Sequence, residues 1–238
     1  MNADKNLTPR LLVVGGTSSL APGIYKLAAE SGYEIFATYR HQIPPDSETA
    51  VSWLALDLDS MDSIDEFLAK LGELTFSRVI FFAGATFRRV GQEISVNELA
   101  EYLRIQLVNP VNVIGRLINY LNLSDSSNLL YMSSRAATFG SADWPYGIAK
   151  AGIQNYISSL SQFQKPPISI LSIVSGLILG SSMQNEMSSD TLNSHITRAH
   201  AVGENLLTLD EIAQLIWALD PNSTLNLRGS VLSLGPVY

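Results

Sequence analysis

The sequence contains no cysteine. That excludes a disulfide framework, a thiolate nucleophile and a zinc–thiolate site together, and it is consistent with a reducing compartment. Basic excess is missing too: 15 Lys and Arg stand against 22 Asp and Glu, a formal charge of −7, with a pI near 4.9. Phosphate backbones are held by concentrated basic surface, and the longest such cluster is Arg88-Arg89, so no nucleic-acid partner is expected. No run approaches the roughly 20 apolar residues of a membrane span, and Met1 to Arg10 is polar, unlike a secretory leader. Histidine is scarce, three in all, and His195 and His200 lack a neighbouring acid pattern, so no metal site is expected. There is no Gly-x-Ser-x-Gly elbow, which removes the usual serine hydrolase reading. Internal repeats and low-complexity tracts are absent. These absences leave a cytoplasmic protein acting on a small molecule as the expectation.

What is present is a well-filled apolar inventory. Hydrophobic residues make up 46% of 238, and a chain of this length buries roughly 70–75% of its unfolded surface. Strand-length apolar runs alternate with longer helical patterns. Leu11–Val14, Tyr33–Thr38, Val51–Leu56, Arg78–Phe82, Asn128–Met132, Ile168–Val174 and Ser230–Leu234 read as strands. Ile24–Ser31, Met61–Leu71, a long pattern over Val96–Leu121 with one internal proline, Tyr146–Phe163 and Asp210–Leu219 read as helices. Near-continuous apolar strands separated by helices predict an α/β fold: one domain over residues 1–238, a doubly wound parallel sheet of the Rossmann type with helices on both faces. Such sheets bind ligands at the carboxyl ends of their strands. Gly180 to Asn205 is rich in Ser, Asn, Met and His with weak periodicity. Its length and its place after a late strand suggest a substrate lid.

Two clusters carry chemistry. Gly15-Gly16-Thr17-Ser18-Ser19-Leu20-Ala21 follows the first strand and opens the first helix. Small residues there let a pyrophosphate approach free N–H groups at a helix N-terminus, and the hydroxyls of Thr17, Ser18 and Ser19 offer further bonds. Such Gly/Ser-rich turns also occur with no ligand at all. The second cluster is Tyr146-Gly147-Ile148-Ala149-Lys150. Residues four apart share a helix face, so a phenol and an ammonium project into one space. The cation stabilises phenolate and lowers the phenol pKa from its usual value near 10, which suits proton delivery to a carbonyl oxygen. Tyr-x3-Lys arises by chance as well. Here it opens a helix, with Pro145 in the first turn, about a dozen residues after Met132-Ser133-Ser134.

Together these stretches resemble the short-chain dehydrogenase/reductase family, from Leu11 to Gly235. Gly15 matches the first glycine of that family's Gly-x-x-x-Gly-x-Gly loop, while Ser19 and Ala21 replace the other two. Asp57-Leu58 is similar to the pair that contacts adenine. Ala83-Gly84 ends a turn whose two asparagines are here Phe81 and Phe82, which read as core strand residues. Gly176 follows Ser175, where the family has proline, and meets the nicotinamide by its backbone. The resemblance implies a catalytic set of a serine, Tyr146 and Lys150, with Gln106 where the family has an asparagine whose backbone holds a lysine-linked water. Asn109 and Asn112 lie close by. Strand register assigns the serine role to Ser134 and a count back of about thirteen residues assigns it to Ser133; register is preferred. An NAD-specific relative would hold an acid at position 39. Tyr39-Arg40 stands there instead, and a guanidinium favours a 2′-phosphate, so NADP(H) is the expected cofactor. The implied activity is reduction of a ketone or aldehyde, or the reverse oxidation, with Tyr146 as proton donor, in a homodimer or homotetramer packed through the long helices. The alternative is a cofactor-binding, catalytically weak relative acting as a sensor or partner subunit, suggested by the altered motif positions. An epimerase or dehydratase on the same fold is a third reading.

Overall fold

The computed structural model describes residues 8–44, 49–87, 93–122, 126–163, 168–201 and 206–234. Arg88, Arg89, Gly235, residues 202–205 of the expected lid and residues 1–7 of the lead-in lie outside them.

Seven strands form one sheet: β1 (Arg10–Val14), β2 (Glu34–Tyr39), β3 (Ser52–Ala55), β4 (Arg78–Phe81), β5 (Ser127–Ser134), β6 (Ile168–Ser175) and β7 (Val231–Leu234). Every pairing is parallel, in the order β3-β2-β1-β4-β5-β6-β7. The order reverses between β1 and β4, which opens the crevice where doubly wound sheets bind ligands. Nine helices connect the strands among the described residues: α1 (Ala21–Glu30), α2 (Met61–Leu71), α3 (Val96–Leu103), α4 (Asn109–Leu117), α5 (Ala136–Phe139), α6 (Trp144–Phe163), α7 (Ser182–Asn185), α8 (Ser189–Ala201) and α9 (Leu209–Ala218).

Strand side chains alternate between the two faces, and both faces are dry. Leu12 and Val14 enter a core with Phe67 and Leu71 of α2, Val113 and Leu117 of α4, and Ile153 and Ile157 of α6. Leu11 and Val13 enter a second core with Ile24 and Ala28 of α1 and Ile212 and Ile216 of α9. Each such side chain contributes about 1.5–3 kcal/mol by leaving water, so the two cores fix the sheet and hold its carboxyl edge rigid.

The pattern over Val96–Leu121 is not one helix. α3 starts with a capping box, in which Ser95 and Glu98 satisfy each other's backbone N–H, and it runs into a π-helical turn, Arg104–Val108, before α4. The cause is Pro110. It has no N–H to return to the carbonyl of Gln106, and Asn109 donates to the Arg104 carbonyl, five residues back. The 180–205 segment also departs from the expectation of irregular structure: within the described residues it folds into α7 and α8. Ser181 caps α7 by accepting from the Gln184 N–H, and Ser188 accepts from the Thr191 N–H at the start of α8. Weak apolar periodicity hid α8, whose contact is narrow: Ala199 packs with Leu177 and Leu206, flanked by Leu192 and Ile196.

Candidate active site

At the nucleotide end, Gly15 turns with φ of +84°, and a Cβ there would lie 2.6 Å from the Ala83 nitrogen. Only glycine tolerates both the left-handed backbone and that approach. Thr38 pins the turn, its Oγ1 accepting from the Gly15 N–H at 2.9 Å. The buried Tyr25 hydroxyl donates to the Gly16 carbonyl at 2.7 Å, and a Cβ on Gly16 would strike that same hydroxyl. Both glycines therefore serve the fold directly, in addition to shaping the loop. Thr17 is exposed, with Ser18 and Ser19 half-buried. The Leu20 side chain is buried in the α1–α9 core, so the residue faces the loop by backbone alone, where its N–H reaches Ser18 Oγ at 3.4 Å.

Arg40 and Asp57 were expected to touch a cofactor separately; the structure joins them. Arg40 Nε lies 2.9 Å from Asp57 Oδ1 and its Nη2 lies 3.9 Å from Asp59. Asp59 is also held by Arg104. Asn109 donates to the Leu58 carbonyl at 2.6 Å, which ties α4 to the loop after β3. Phe81 and Phe82 are buried, as core strand residues should be.

At the other end, Lys150 is 7% exposed, and its ammonium donates to the Met132 carbonyl at 3.0 Å. Nζ stands 4.9 Å from the Tyr131 ring centroid and 5.8 Å from that of Tyr146. A Cβ on Gly84 would come within 3.0 Å of Nζ and 3.7 Å of Gln106 Oε1. Gln106 Oε1 in turn accepts from the Ala85 N–H at 2.8 Å. The turn after β4 thus passes between Lys150 and Gln106, and it abuts Gly15. The two ends meet at this turn.

The Tyr146 hydroxyl is hydrogen-bonded to Ser134. Ser133 turns the other way, buried, with Oγ donating to Gln154 at 3.0 Å. Burial pushes the Tyr146 phenol up from its ordinary value, Asp143 adds to this, and the Ser134 bond opposes it. The expected lowering by Lys150 is not what prevails, because the ammonium is aimed at a carbonyl. Burial acts on Lys150 as well, bringing it down to about 8.

Ser134, Tyr146, Ser175 and Gly176 line a pocket of about 610 Å3. Its farther lining comes from α8 and the residues around α7: Met183, Glu186, Met187, His195 and Arg198. Asp143, Arg135 and Arg198 were missed by sequence reasoning. Asp143 had a signal: it precedes a helix that opens Trp-Pro-Tyr, an N-cap position, and its carboxylate accepts from the Tyr146 N–H at 3.4 Å and from the Phe87 N–H at 2.8 Å. The two arginines had none, since exposed guanidinium groups are common. Among the described residues no three His, Asp or Glu side chains converge as a metal would require.

A parallel sheet in this order, with a glycine turn after β1 and a Ser, Tyr, Lys group beside its switch point, defines a dinucleotide-binding oxidoreductase domain. The chain belongs to the short-chain dehydrogenase family, whose model matches residues 10–192, and that family uses NAD(P)(H). No curated protein matches the sequence. Among solved structures it is similar to a short-chain dehydrogenase/reductase, glucose/ribitol dehydrogenase, from Brucella melitensis, with 18% identity, 95% of each chain covered and a TM-score of 0.79. A dehydrogenase/reductase from Sinorhizobium meliloti is alike, at 18% identity, 95% and 93% covered and a TM-score of 0.79. A third is BdcA in complex with NADPH, at 15% identity, 95% and 92% covered and a TM-score of 0.77. At these identities the likeness concerns the fold.

Proposed function

We propose that this protein is an NADP(H)-preferring reductase of a ketone or aldehyde, equally able to oxidise the matching alcohol, and that it works in the cytoplasm as a homodimer or homotetramer. The observation that carries the reading is the Tyr146 phenol bonded to Ser134 at the pocket wall, with the buried Lys150 ammonium beside the same ring. The residues present fit the cofactor. The Gly15–Leu20 turn feeds a helix N-terminus, Gly84 lets its turn pass close to the Lys150 ammonium where a Cβ would come within 3.0 Å, and Arg40 stands at the end of β2.

Gly15, Thr17, Ser18, Ser19 and the Leu20 backbone would hold the pyrophosphate, Arg40 the 2′-phosphate, Asp57 and Leu58 the adenine, and Ala83, Gly84, Lys150 and Gly176 the nicotinamide half. When bound, the reduced nicotinamide supplies a hydride for the carbonyl carbon. Ser134 donates to the carbonyl oxygen and places it against Tyr146. The raised pKa keeps the phenol protonated through the neutral range, so it is ready to give its proton to the forming alkoxide. Lys150 stabilises the phenolate that remains until solvent reprotonates it. Gln106 acts on positioning: it holds the 83–85 turn against Lys150. The support for NADP(H) is the arginine in place of an acid at the end of β2, and BdcA, of similar fold, was solved with NADPH. Asp57 competes for that guanidinium, so the preference should be moderate.

The test is turnover of NADPH with a panel of keto sugars, keto acids and acyl ketones, comparing the intact protein with Tyr146→Phe. Loss of turnover with cofactor affinity kept supports the assignment. Tight NADPH binding with no turnover on any compound supports a non-catalytic relative.

A further inference from the structure

Lys150 is buried in a setting with little to hold an ammonium. Among the described residues it forms no ion pair with a carboxylate, and its one hydrogen bond goes to the Met132 carbonyl at 3.0 Å. The rest of its polar surroundings are aromatic. Nζ lies over the Tyr131 ring, 4.9 Å from the centroid, and 5.8 Å from the centroid of Tyr146. Tyr131 is fully buried and sits on β5 in the core that holds Ile153 and Ile157 of α6. Its ring is tilted against Phe81, with 6.1 Å between centroids. The Tyr131 hydroxyl has no hydrogen-bond partner among the described residues, so the ring face is what this side chain offers its neighbour. On another side of the ammonium stand Gly84 and, beyond it, the Gln106 amide, neither of which titrates. Tyr102 and Asp143 bear on the two phenols, while Lys150 itself registers burial alone.

Resting on the reading of this site as a carbonyl reductase, we propose that Tyr131 is a positioning residue for the reaction: its ring face keeps the Lys150 ammonium charged and in place beside Tyr146. Burial penalises the charged form of a lysine, and a single carbonyl offsets only part of that. A cation over an aromatic face is attracted by the ring quadrupole, most strongly where water is excluded. An aliphatic residue at 131 would fill the core and support β5, yet it would leave the ammonium one ring face instead of two. The benefit passes to Tyr146, whose phenolate is stabilised only while Lys150 carries its charge. Tyr131 does not line the substrate pocket, so it reaches the chemistry through Lys150.

The experiment replaces Tyr131 by phenylalanine and by its 3,5-difluoro and 3,4,5-trifluoro analogues, introduced by nonsense suppression. Fluorine draws charge away from the ring face and hardly alters its shape, so packing in the core is kept. The Lys150 pKa is read in the cofactor-free protein by NMR of lysine labelled with carbon-13 at Cε, its signal being the one missing from Lys150→Met. Tyr131→Phe should leave that pKa close to its native value. The difluoro ring should lower it, and the trifluoro ring should bring it about 1 below the Tyr131→Phe value, an about tenfold weaker hold on the proton. The decline of kcat/KM at high pH, followed as NADPH oxidation with the best compound of the carbonyl panel, should move down by the same amount. A pKa indifferent to fluorine overturns the inference. So does a fall of that size already in Tyr131→Phe, since the hydroxyl would then be the group that matters. A pKa that follows the ring with no compound reduced keeps the hold of Tyr131 on the ammonium and removes the reductase. Reduction whose pH dependence stays fixed while the pKa moves keeps the reductase and removes the positioning role.

Discussion

Lys150 has to carry a charge in a place that disfavours charge. Burial lowers its pKa to about 8, so the ammonium is complete below that value and is lost as pH rises through it. If the ammonium is what stabilises the Tyr146 phenolate, kcat/KM for reduction should decline above about pH 8, while the upshifted phenol contributes no loss there. A pH–rate profile showing a flat limb to pH 10 would contradict this. The same burial opposes folding of the charged form: the folded pKa lies below the unfolded one, so the cost is present below about pH 8 and relieved above it. Lys150→Met should therefore abolish reduction yet raise the melting temperature of the cofactor-free protein at pH 7, by roughly 2–6 °C. Tyr146→Phe should cost roughly 100- to 10,000-fold in turnover, the range of general acid catalysis, with NADPH affinity within about twofold. Arg40 is half exposed and engaged by Asp57 and Asp59. Arg40→Ala should still weaken NADPH binding about tenfold, or about 1.4 kcal/mol, against little change for NADH; equal losses for both cofactors in calorimetry would assign Arg40 to the fold instead.

Among the elements, α9 shows how much rests on side chains that alternation of apolar residues does not reveal. Arg78 opens β4 and is 1% exposed. Its guanidinium donates to the carbonyls of Ile216, Trp217 and Leu219 and stacks 4.3 Å over the Trp217 ring. Asn128, on β5, donates to Leu219 as well. The last turn of a helix leaves carbonyls without partners and gathers partial negative charge, and here a strand cation satisfies both needs across the sheet edge. Arg78→Met keeps the volume and strands those carbonyls. It should cost about 3 kcal/mol or more, a fall of roughly 6–12 °C in melting temperature, followed by circular dichroism. A fall under 2 °C would mean water replaces the guanidinium without loss. In the sequence Arg78 reads as the polar start of a strand, because burial of a cation depends on what α9 brings to it. The bounds of α2 and the strand cores were legible for the opposite reason: their apolar periodicity is set by the sheet they cover. The π turn was foreshadowed by Pro110, whose missing N–H is a local fact, whereas α8 was not, since a helix with a narrow contact carries little periodic signal.

At the scale of the whole molecule, the doubly wound parallel sheet was readable from the alternation of apolar strands and helices, whereas its strand order and the packing of the Gly15 turn against Ala83 come from the structure. What the sequence did not reveal is how the far side of the pocket is walled. Within the described residues the expected lid holds α7 and α8, and the segment contributes Met183, Met187, His195 and Arg198 to the wall. Among the described residues, three buried ones, Leu177, Ala199 and Leu206, form the core of its contact, fewer than hold α1 or α6. Segments with few buried contacts open at low free-energy cost, and closing elements are drawn from that class. Amide hydrogen exchange should find α7 and α8 exchanging faster than α1 and α6 in the cofactor-free protein, and slowing by tenfold or more when NADPH and a bound carbonyl or alcohol are present together. The oxidised and reduced cofactor alone should slow them less, because these residues line the substrate pocket and not the Gly15 turn. If α7 and α8 are as protected as α6 without any ligand, the segment is fixed wall, substrate enters by another route, and the lid assignment fails while the pocket chemistry stands.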